Sequence, residues 1–278
     1  MSPESGFDME DRYFELEGHR VHYTVQAAGS GTRRKPVLLL HGFTEAVFVW
    51  RELSAFLARG GYDVLCLDLA GHGRTETFAR VHGMELQASL AKAVLEREGL
   101  EKAVVIGHSM GGYVAAAFGC LYPHMVKGMG FFHSHPGPDT PQAAENRRRS
   151  LELLHAGKTG FLTGSLHTLF APGTESRYAL QIEALHGHVR SMGAQAVAAA
   201  QQGMLERESR LSVYDLDVPF LFIIGTKDIR MDTAKIMAQT LLPRQACVQL
   251  LPVGHMGMYE RPRETEAFIA GYLGTVEW

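Results

Sequence analysis

A serine at a predicted sharp turn is the first feature of the sequence that could carry out chemistry. Gly107-His108-Ser109-Met110-Gly111 matches the pattern Gly-x-Ser-x-Gly; it follows the apolar run 103–106 and precedes an alanine-rich stretch typical of a helix. A serine between a strand and a helix is held in strained backbone geometry, and glycines two positions to either side avoid collisions there. The helix amino terminus beneath the serine favours developing negative charge. The motif and its setting predict that Ser109 is a nucleophile.

A serine hydroxyl needs a base, and the base needs an acid that orients it. Asp228 follows the apolar run 220–224, and His255 follows the run 246–252. Open α/β sheets bind their ligands at the carboxyl ends of the strands, so side chains just beyond three separate strands are expected to meet. The sequence therefore predicts Ser109 as nucleophile, His255 as base and Asp228 as acid.

Other residues compete for these roles. Asp139 comes after the strand that ends at Phe132 and is the alternative acid. Asp232 is nearer to Asp228 in sequence, but Thr-Ala-Lys follows it, which predicts a helix cap. His72 lies between two glycines and is expected to be a structural loop residue near the site.

Attack on a carbonyl also needs hydrogen-bond donors for the oxyanion. The backbone N–H of Met110, directly after the serine, is one candidate. The other is the N–H of Phe43 in the loop His41-Gly42-Phe43-Thr44, where Gly42 lets the backbone approach a substrate. Each such donor typically contributes about 3 kcal/mol to transition-state stabilisation.

The elements that must position these residues alternate along the chain. Arg12–Leu16 and His19–Val25 have period-two apolarity around Glu17-Gly18, which predicts a hairpin. Apolar strands and helices then alternate, which predicts a parallel sheet covered by helices on both faces. The later strands are expected at 36–40, 62–69, 102–107, 126–132, 219–225 and 246–252, and the helices between them at 50–59, 84–98, 111–121, 233–242 and 264–273.

The alternation is interrupted over residues 134–217. This stretch has no strand pattern, and helices are expected near 141–155, 175–186 and 194–207. The predicted organisation is therefore one core domain made of 1–133 and 218–278, with a helical insertion at 134–217. The run Arg147-Arg148-Arg149 is expected on the solvated face of an insertion helix. The large apolar residues that could line a pocket are Phe161, Phe170, Tyr178, Met192 and Met204.

Composition excludes several classes of protein. Lys and Arg number 27 and Asp and Glu 30, so the formal net charge of −3 argues against binding to nucleic acid or to an anionic membrane. A hydrophobic content of 46% over 278 residues is that of a folded globular chain. No run approaches about 18 consecutive apolar residues, and the acidic start lacks the features of a secretory signal.

The cysteine and histidine spacings predict neither disulfides nor metal sites. Cys66, Cys120 and Cys247 are far apart without a Cys-x-x-Cys motif, which indicates reduced thiols. The His-x-His pairs at 133/135 and 186/188 lack nearby cysteines or paired carboxylates. We therefore expect a soluble cytoplasmic protein with no metal and no cofactor.

The motifs together resemble the α/β-hydrolase fold superfamily over nearly the whole chain. The resemblance rests on 41–43, 68–73, 107–112, 225–228 and 254–257. It implies an eight-stranded, mostly parallel sheet whose second strand is antiparallel, and it makes the insertion after the sixth strand a cap over the active site. It also assigns Ser109, His255 and Asp228 to a catalytic triad and Phe43 and Met110 to the oxyanion hole.

The serine narrows the expected activity. Members that resemble dehalogenases and epoxide hydrolases carry aspartate at the nucleophile position, and this chain departs from them. We expect a serine hydrolase that cleaves small carboxylic esters through an acyl-enzyme. A carbon–carbon bond hydrolase or a lactonase with the same triad is the alternative, and a non-catalytic small-molecule-binding protein is the third possibility. No motif specifies the acyl group, the alcohol or the oligomeric state.

Overall fold

The strands form a single sheet. A computed structural model describes residues 9–28 and 34–278, in which eight strands lie in the order β1-β2-β4-β3-β5-β6-β7-β8. Strand β2 is antiparallel to both of its neighbours and the other pairs are parallel, as the resemblance implies. The strands are β1 (Glu10–Leu16), β2 (His19–Gln26), β3 (Pro36–Leu40), β4 (Asp63–Leu67), β5 (Ala103–His108), β6 (Val126–Phe132), β7 (Phe220–Gly225) and β8 (Ala246–Leu251).

The opening hairpin is confirmed. Leu16 pairs with His19 across the turn. Glu17 has φ 53° and Gly18 φ 79°, as a two-residue hairpin turn with positive φ at both positions requires. The residues 1–8, whose acidic sequence argues against a secretory signal, lie outside the described residues.

Helices cover both faces of the sheet. Successive residues of β3 alternate between the two sides: Leu38 packs with α2 and α3, and Leu39 packs with α1 and α10. This explains why the central strands read as continuous apolar runs. The helices are α1 (Arg51–Arg59), α2 (Met84–Arg97), α3 (Met110–Leu121), α4 (Pro141–His155), α5 (Gly160–Gly164), α6 (Ala179–Ser191), α7 (Ala194–Glu206), α8 (Thr233–Gln239), α9 (Gly257–Glu260) and α10 (Pro262–Leu273).

The stretch between β6 and β7 is helical, with α4 to α7 and no strand among its residues, all of which are described. Helix α4 has the predicted bounds, and the Thr140 side chain caps it by accepting the N–H of Ala143. The helix expected at 175–186 instead begins as a 3₁₀ turn and continues as α6, and the five-residue α5 was not predicted.

Within residues 9–28 and 34–278, every helix is too short or too polar to cross a lipid bilayer.

Candidate active site

Ser109 occupies the sharp turn between β5 and α3. Its φ of 50° and ψ of −115° form a conformation that L-residues rarely adopt. A Cβ on Gly107 would lie 2.1 Å from the carbonyl oxygen of Gly111, and one on Gly111 would lie 2.2 Å from that of Leu40. The glycines of the motif are therefore required by close backbone contacts, as predicted.

His255 and Asp228 form a short hydrogen bond beyond the ends of β8 and β7. The distance from His255 Nδ1 to Asp228 Oδ2 is 2.6 Å, and both residues are buried. Burial acts to raise the pKa of Asp228, but the charge of the neighbouring imidazole and its hydrogen bond outweigh that effect and hold this pKa well below its usual value. The carboxylate is therefore ionised and can orient the histidine.

Ser109, His255 and Phe43 line one cavity of about 460 Å³ between the strand ends and the insertion. Met110 is the first residue of α3, where a backbone N–H has no acceptor within the helix. The loop after β3 is fixed by His41, whose Nδ1 donates to the carbonyl oxygen of Gly42 at 2.8 Å. Ser109 and His255, which are expected to react, thus line the same cavity as Phe43, one of the two expected oxyanion donors.

Asp139 is engaged elsewhere. Its two carboxylate oxygens accept from Arg147 and Arg207, each at 2.7 Å. Asp232 caps α8 by accepting the N–H of Lys235 at 3.0 Å, as predicted.

The expectation that Arg147–Arg149 forms a solvated face is wrong for Arg147. Its side chain is 18% exposed, it pairs with Asp139, and it lines the cavity. Arg148 and Arg149 are exposed, as expected. Successive helical residues point about 100° apart, so one member of a charged run can face inward.

A buried pair beside the serine was not predicted. His108 Nδ1 lies 3.0 Å from Glu45 Oε2, and His108 Nε2 donates to the carbonyl oxygen of His255 at 2.8 Å. Glu45 Oε2 also accepts the N–H of Gly42 at 2.8 Å. The pair thus joins the loop after β3, the end of β5 and the loop that carries His255.

The pair is ionised. Burial acts to lower the pKa of His108 and to raise that of Glu45, but their mutual attraction outweighs burial for both, so the pKa of His108 is raised and that of Glu45 is lowered. With both ring nitrogens facing acceptors, the imidazolium satisfies every hydrogen bond. His108 occupies a position of the Gly-x-Ser-x-Gly pattern that any residue type can fill. The sequence therefore does not predict that His108 pairs with Glu45.

The histidine after β6 stays neutral. His133 Nδ1 accepts the N–H of Gly225 at 3.0 Å and lies 3.9 Å from Asp228 Oδ2. Burial, followed by repulsion from His255, holds the pKa of His133 well below its ordinary value. His255 is therefore the histidine that is bonded to the acid.

A family model described as the alpha/beta hydrolase fold matches residues 35–262. The chain belongs to this family.

Its relatives have different named activities. Epoxide hydrolase 4 of Mus musculus is 38% identical over 113 residues, which cover 39% of this chain and 30% of that protein. The 2-hydroxy-6-oxononadienedioate/2-hydroxy-6-oxononatrienedioate hydrolase of Paraburkholderia phymatum is 37% identical over 112 residues, 38% of this chain and 37% of that protein. The matches thus span only about a third of these relatives' lengths.

A solved structure is similar over almost its full length. The thermophilic esterase from Thermogutta terrifontis, with malate bound, has a TM-score of 0.84 and 28% identity, covering 96% of this chain and 98% of that one.

In this α/β hydrolase, hydrogen bonds join the insertion directly to the loop that carries His255. The backbone N–H of His255 donates to the carbonyl oxygen of Leu169 at 2.6 Å. The carboxylate of Glu260 accepts from Gly254 N at 2.8 Å and from Ala171 N at 3.0 Å. A shift of the insertion would therefore move the histidine.

Two of the five apolar residues expected to line a pocket do so. Phe161 and Met204 line the cavity, whereas Phe170, Tyr178 and Met192 are not among its lining residues. Phe170 and Tyr178 instead stack with ring centroids 5.1 Å apart.

His72 is buried near the loop after β3. Its ring centroid lies 5.2 Å from that of His41 and 6.2 Å from that of Phe43. Burial holds the pKa of His72 well below its ordinary value, so the ring is neutral. This placement agrees with a packing position beside the site.

Proposed function

We propose that this α/β hydrolase is a serine hydrolase that cleaves small carboxylic esters through an acyl-enzyme. The observation that carries the proposal is the 2.6 Å hydrogen-bond distance between His255 and Asp228, together with the cavity that both His255 and Ser109 line. His255 takes the proton of Ser109 as its Oγ attacks the ester carbonyl. His255 then protonates the leaving alcohol, and water hydrolyses the acyl-enzyme.

Each supporting group has a stated task in this mechanism. The N–H groups of Phe43 and Met110 stabilise the negative charge on the carbonyl oxygen. Asp228, whose pKa is low, stays ionised, holds the tautomer of His255 and stabilises its charged form. The insertion at 134–217 acts as a cap that roofs the reacting carbonyl.

The serine argues for acyl transfer rather than the epoxide opening named for one relative. An epoxide opened by the hydroxyl of Ser109 would leave a serine ether, which has no carbonyl for water to attack. An acyl group on Ser109 does have one, so the enzyme can be regenerated. The similar esterase of Thermogutta terrifontis supports the same choice.

A carbon–carbon bond hydrolase is the second candidate. The relative from Paraburkholderia phymatum, named as a hydrolase of oxononadienedioate compounds, favours it. The reaction would use the same three residues, and so would a lactonase. A cytoplasmic location and a small-molecule substrate stay predictions from the sequence.

The test is a panel of ethyl and aryl esters of increasing acyl length, run beside one lactone and one dienone acid. We expect the simple esters to give the highest kcat/KM, with a burst of alcohol release when deacylation is slow. Turnover of the dienone acid at 100-fold or more above every ester would replace the proposed function by the second candidate.

A further inference from the structure

The lining of the cavity beside Ser109 is chemically mixed. It includes large apolar residues of the insertion, among them Leu154, Phe161 and Leu166. It also includes the cationic side chains of Arg147, Arg230 and Lys235.

Two of these cations have no carboxylate partner within residues 9–28 and 34–278. Lys235 Nζ donates to the carbonyl oxygen of Pro138 at 2.7 Å. The Arg230 guanidinium donates to Ser165 O at 2.7 Å and to Thr168 Oγ1 at 2.6 Å. Neutral oxygens hold these side chains in place without neutralising their positive charge.

The acids that line the cavity are already engaged. Asp139 is shared between two guanidinium groups, so that cluster keeps one net positive charge. Glu45 is paired with His108, whereas Asp232 accepts only the backbone N–H of Lys235 and keeps its negative charge. Asp228, beside Arg230, is bonded to His255. Apart from the pair of Glu45 and His108, the cations Arg147, Arg207, Arg230 and Lys235 outnumber the carboxylates Asp139, Asp228 and Asp232, so the charged groups in and against the lining are net positive by one charge.

Two buried neutral residues of the same lining, His135 and Gln201, can add donors. His135 Nδ1 accepts the N–H of Gly137 at 3.1 Å, so Nε2 carries the proton of the neutral ring. Burial first, with repulsion from Lys235 and Arg207, lowers the pKa of His135 to about 3. Gln201 is 5% exposed, and among the residues that the structure describes its Oε1 has no hydrogen-bond partner; rotating the amide places an N–H₂ group there.

A lining that offers donors and net positive charge fits an anionic, acceptor-only group. Resting on the ester hydrolysis proposed above, we propose that the substrate is an ester bearing a free carboxylate, which Lys235, Arg230 and Arg147 bind. A cavity of about 460 Å³ suits a short carbon chain between this carboxylate and the scissile ester. Monoesters of short dicarboxylic acids and esters of short hydroxy acids share this chemistry.

Matched substrate pairs test the proposal. Monoethyl glutarate is compared with ethyl 5-methylhexanoate, which replaces the carboxylate by an isopropyl group, and 4-acetoxybutanoate is compared with 4-methylpentyl acetate. The first pair places the charge on the acyl side and the second on the alcohol side. We expect the charged member of one pair to have at least about ten-fold higher kcat/KM, since only the carboxylate can accept charge-assisted hydrogen bonds from these cations.

Variants connect the preference to the side chains. Lys235→Met should lower the charged-to-neutral ratio of kcat/KM by about ten-fold, and Arg230→Gln supplies a second variant if the first does not fold. Arg149→Gln is the matched control, because Arg149 is an exposed cation of α4 that is not among the cavity-lining residues. A ratio of one or less in both pairs, with the neutral esters cleaved, would overturn the carboxylate site and leave the ester hydrolase in place.

Calorimetric titration of the enzyme with glutarate separates the two proposals if no ester is cleaved. Binding that Lys235→Met weakens at least about ten-fold would keep the carboxylate site while the ester function fails. Absence of glutarate binding together with absence of ester cleavage would overturn both.

Discussion

The backbone at Ser109 is held by contacts that do not involve its hydroxyl. Its N–H donates to Phe132 O at 3.0 Å, and Gly107 and Gly111 fit against neighbouring carbonyls. Ser109→Ala should therefore keep the fold and its thermal unfolding temperature, while kcat for ester hydrolysis falls by about a million-fold. Initial rates and a melting curve measure the two effects. A variant that retained a tenth of the turnover would remove Ser109 from the mechanism.

Kinetic measurements should distinguish Asp228 from Asp139, the two candidates for the catalytic acid. Asp228→Asn should lower kcat about 10⁴-fold with little change in KM, because His255 loses the partner that fixes its tautomer. Asp139→Asn should change kcat far less and mainly lower stability, since Arg147 and Arg207 lose their shared carboxylate. Steady-state kinetics and denaturant unfolding of both variants check this. Reversed effects would place the acid after β6 instead of β7.

The sequence predicts those site residues that directly follow a strand. Ser109, Asp228 and His255 lie where the carboxyl ends of strands meet, so chain position alone brings them together. Glu45 and His108 are different, because their pairing depends on the loop after β3 packing against the end of β5 in three dimensions. Arg147 was misjudged for the same reason: its partner Asp139 lies eight residues earlier, outside the helix.

Among the elements, the ionised pair of Glu45 and His108 joins three segments that carry the site. The raised pKa of His108 gives stability that is present below its ordinary value of 6.5 and is lost as pH rises through the folded-state pKa. The lowered pKa of Glu45 gives stability that is present above 4.5 and is lost as pH falls through its folded-state pKa. The contribution of the pair should thus be greatest between these two values.

His108→Gln is the direct test of this pH dependence. Breaking a buried pair by removing one partner costs about 3–5 kcal/mol, so the variant should lose stability of this order near pH 5.5. The difference from the wild type should shrink toward both pH 4 and pH 9. Urea unfolding at these three pH values measures it, with Glu45→Gln as the reciprocal variant. A difference independent of pH would mean that the pair is neutral.

Sequence patterns locate the elements of this fold better than their ends. Strands β3 and β6 have the predicted bounds because each is a short apolar run with clear limits. Helix α5 was missed because five residues are too few to display a helical period. Helix α6 starts later than expected because a 3₁₀ turn takes up its first residues.

In the whole molecule, the sheet and the insertion contribute different parts of the proposed active site. The strand ends supply the proposed nucleophile, base and oxyanion donors, which all act on the carbonyl group common to every ester. Residues of the insertion line much of the cavity, and hydrogen bonds through Glu260 and Leu169 connect the insertion to the loop of His255. Substrate choice should therefore depend on the insertion. The rate of the chemical step should depend on whether these hydrogen bonds keep the loop of His255 in position.

Changing the insertion walls should reorder substrates. Phe161, Leu166 and Met204 line the cavity, and a hydrophobic wall contributes about 1–3 kcal/mol per methylene that it fits or excludes. Alanine at these positions should shift kcat/KM of long relative to short acyl chains by ten-fold or more, and tryptophan should shift it the opposite way. Leu180→Ala is the control, because Leu180 lies on α6 with 84% exposure and is not a lining residue. If every lining variant lost activity uniformly and kept the acyl-chain ranking, the insertion would act as a structural brace, and the specificity walls would have to lie in the core loops.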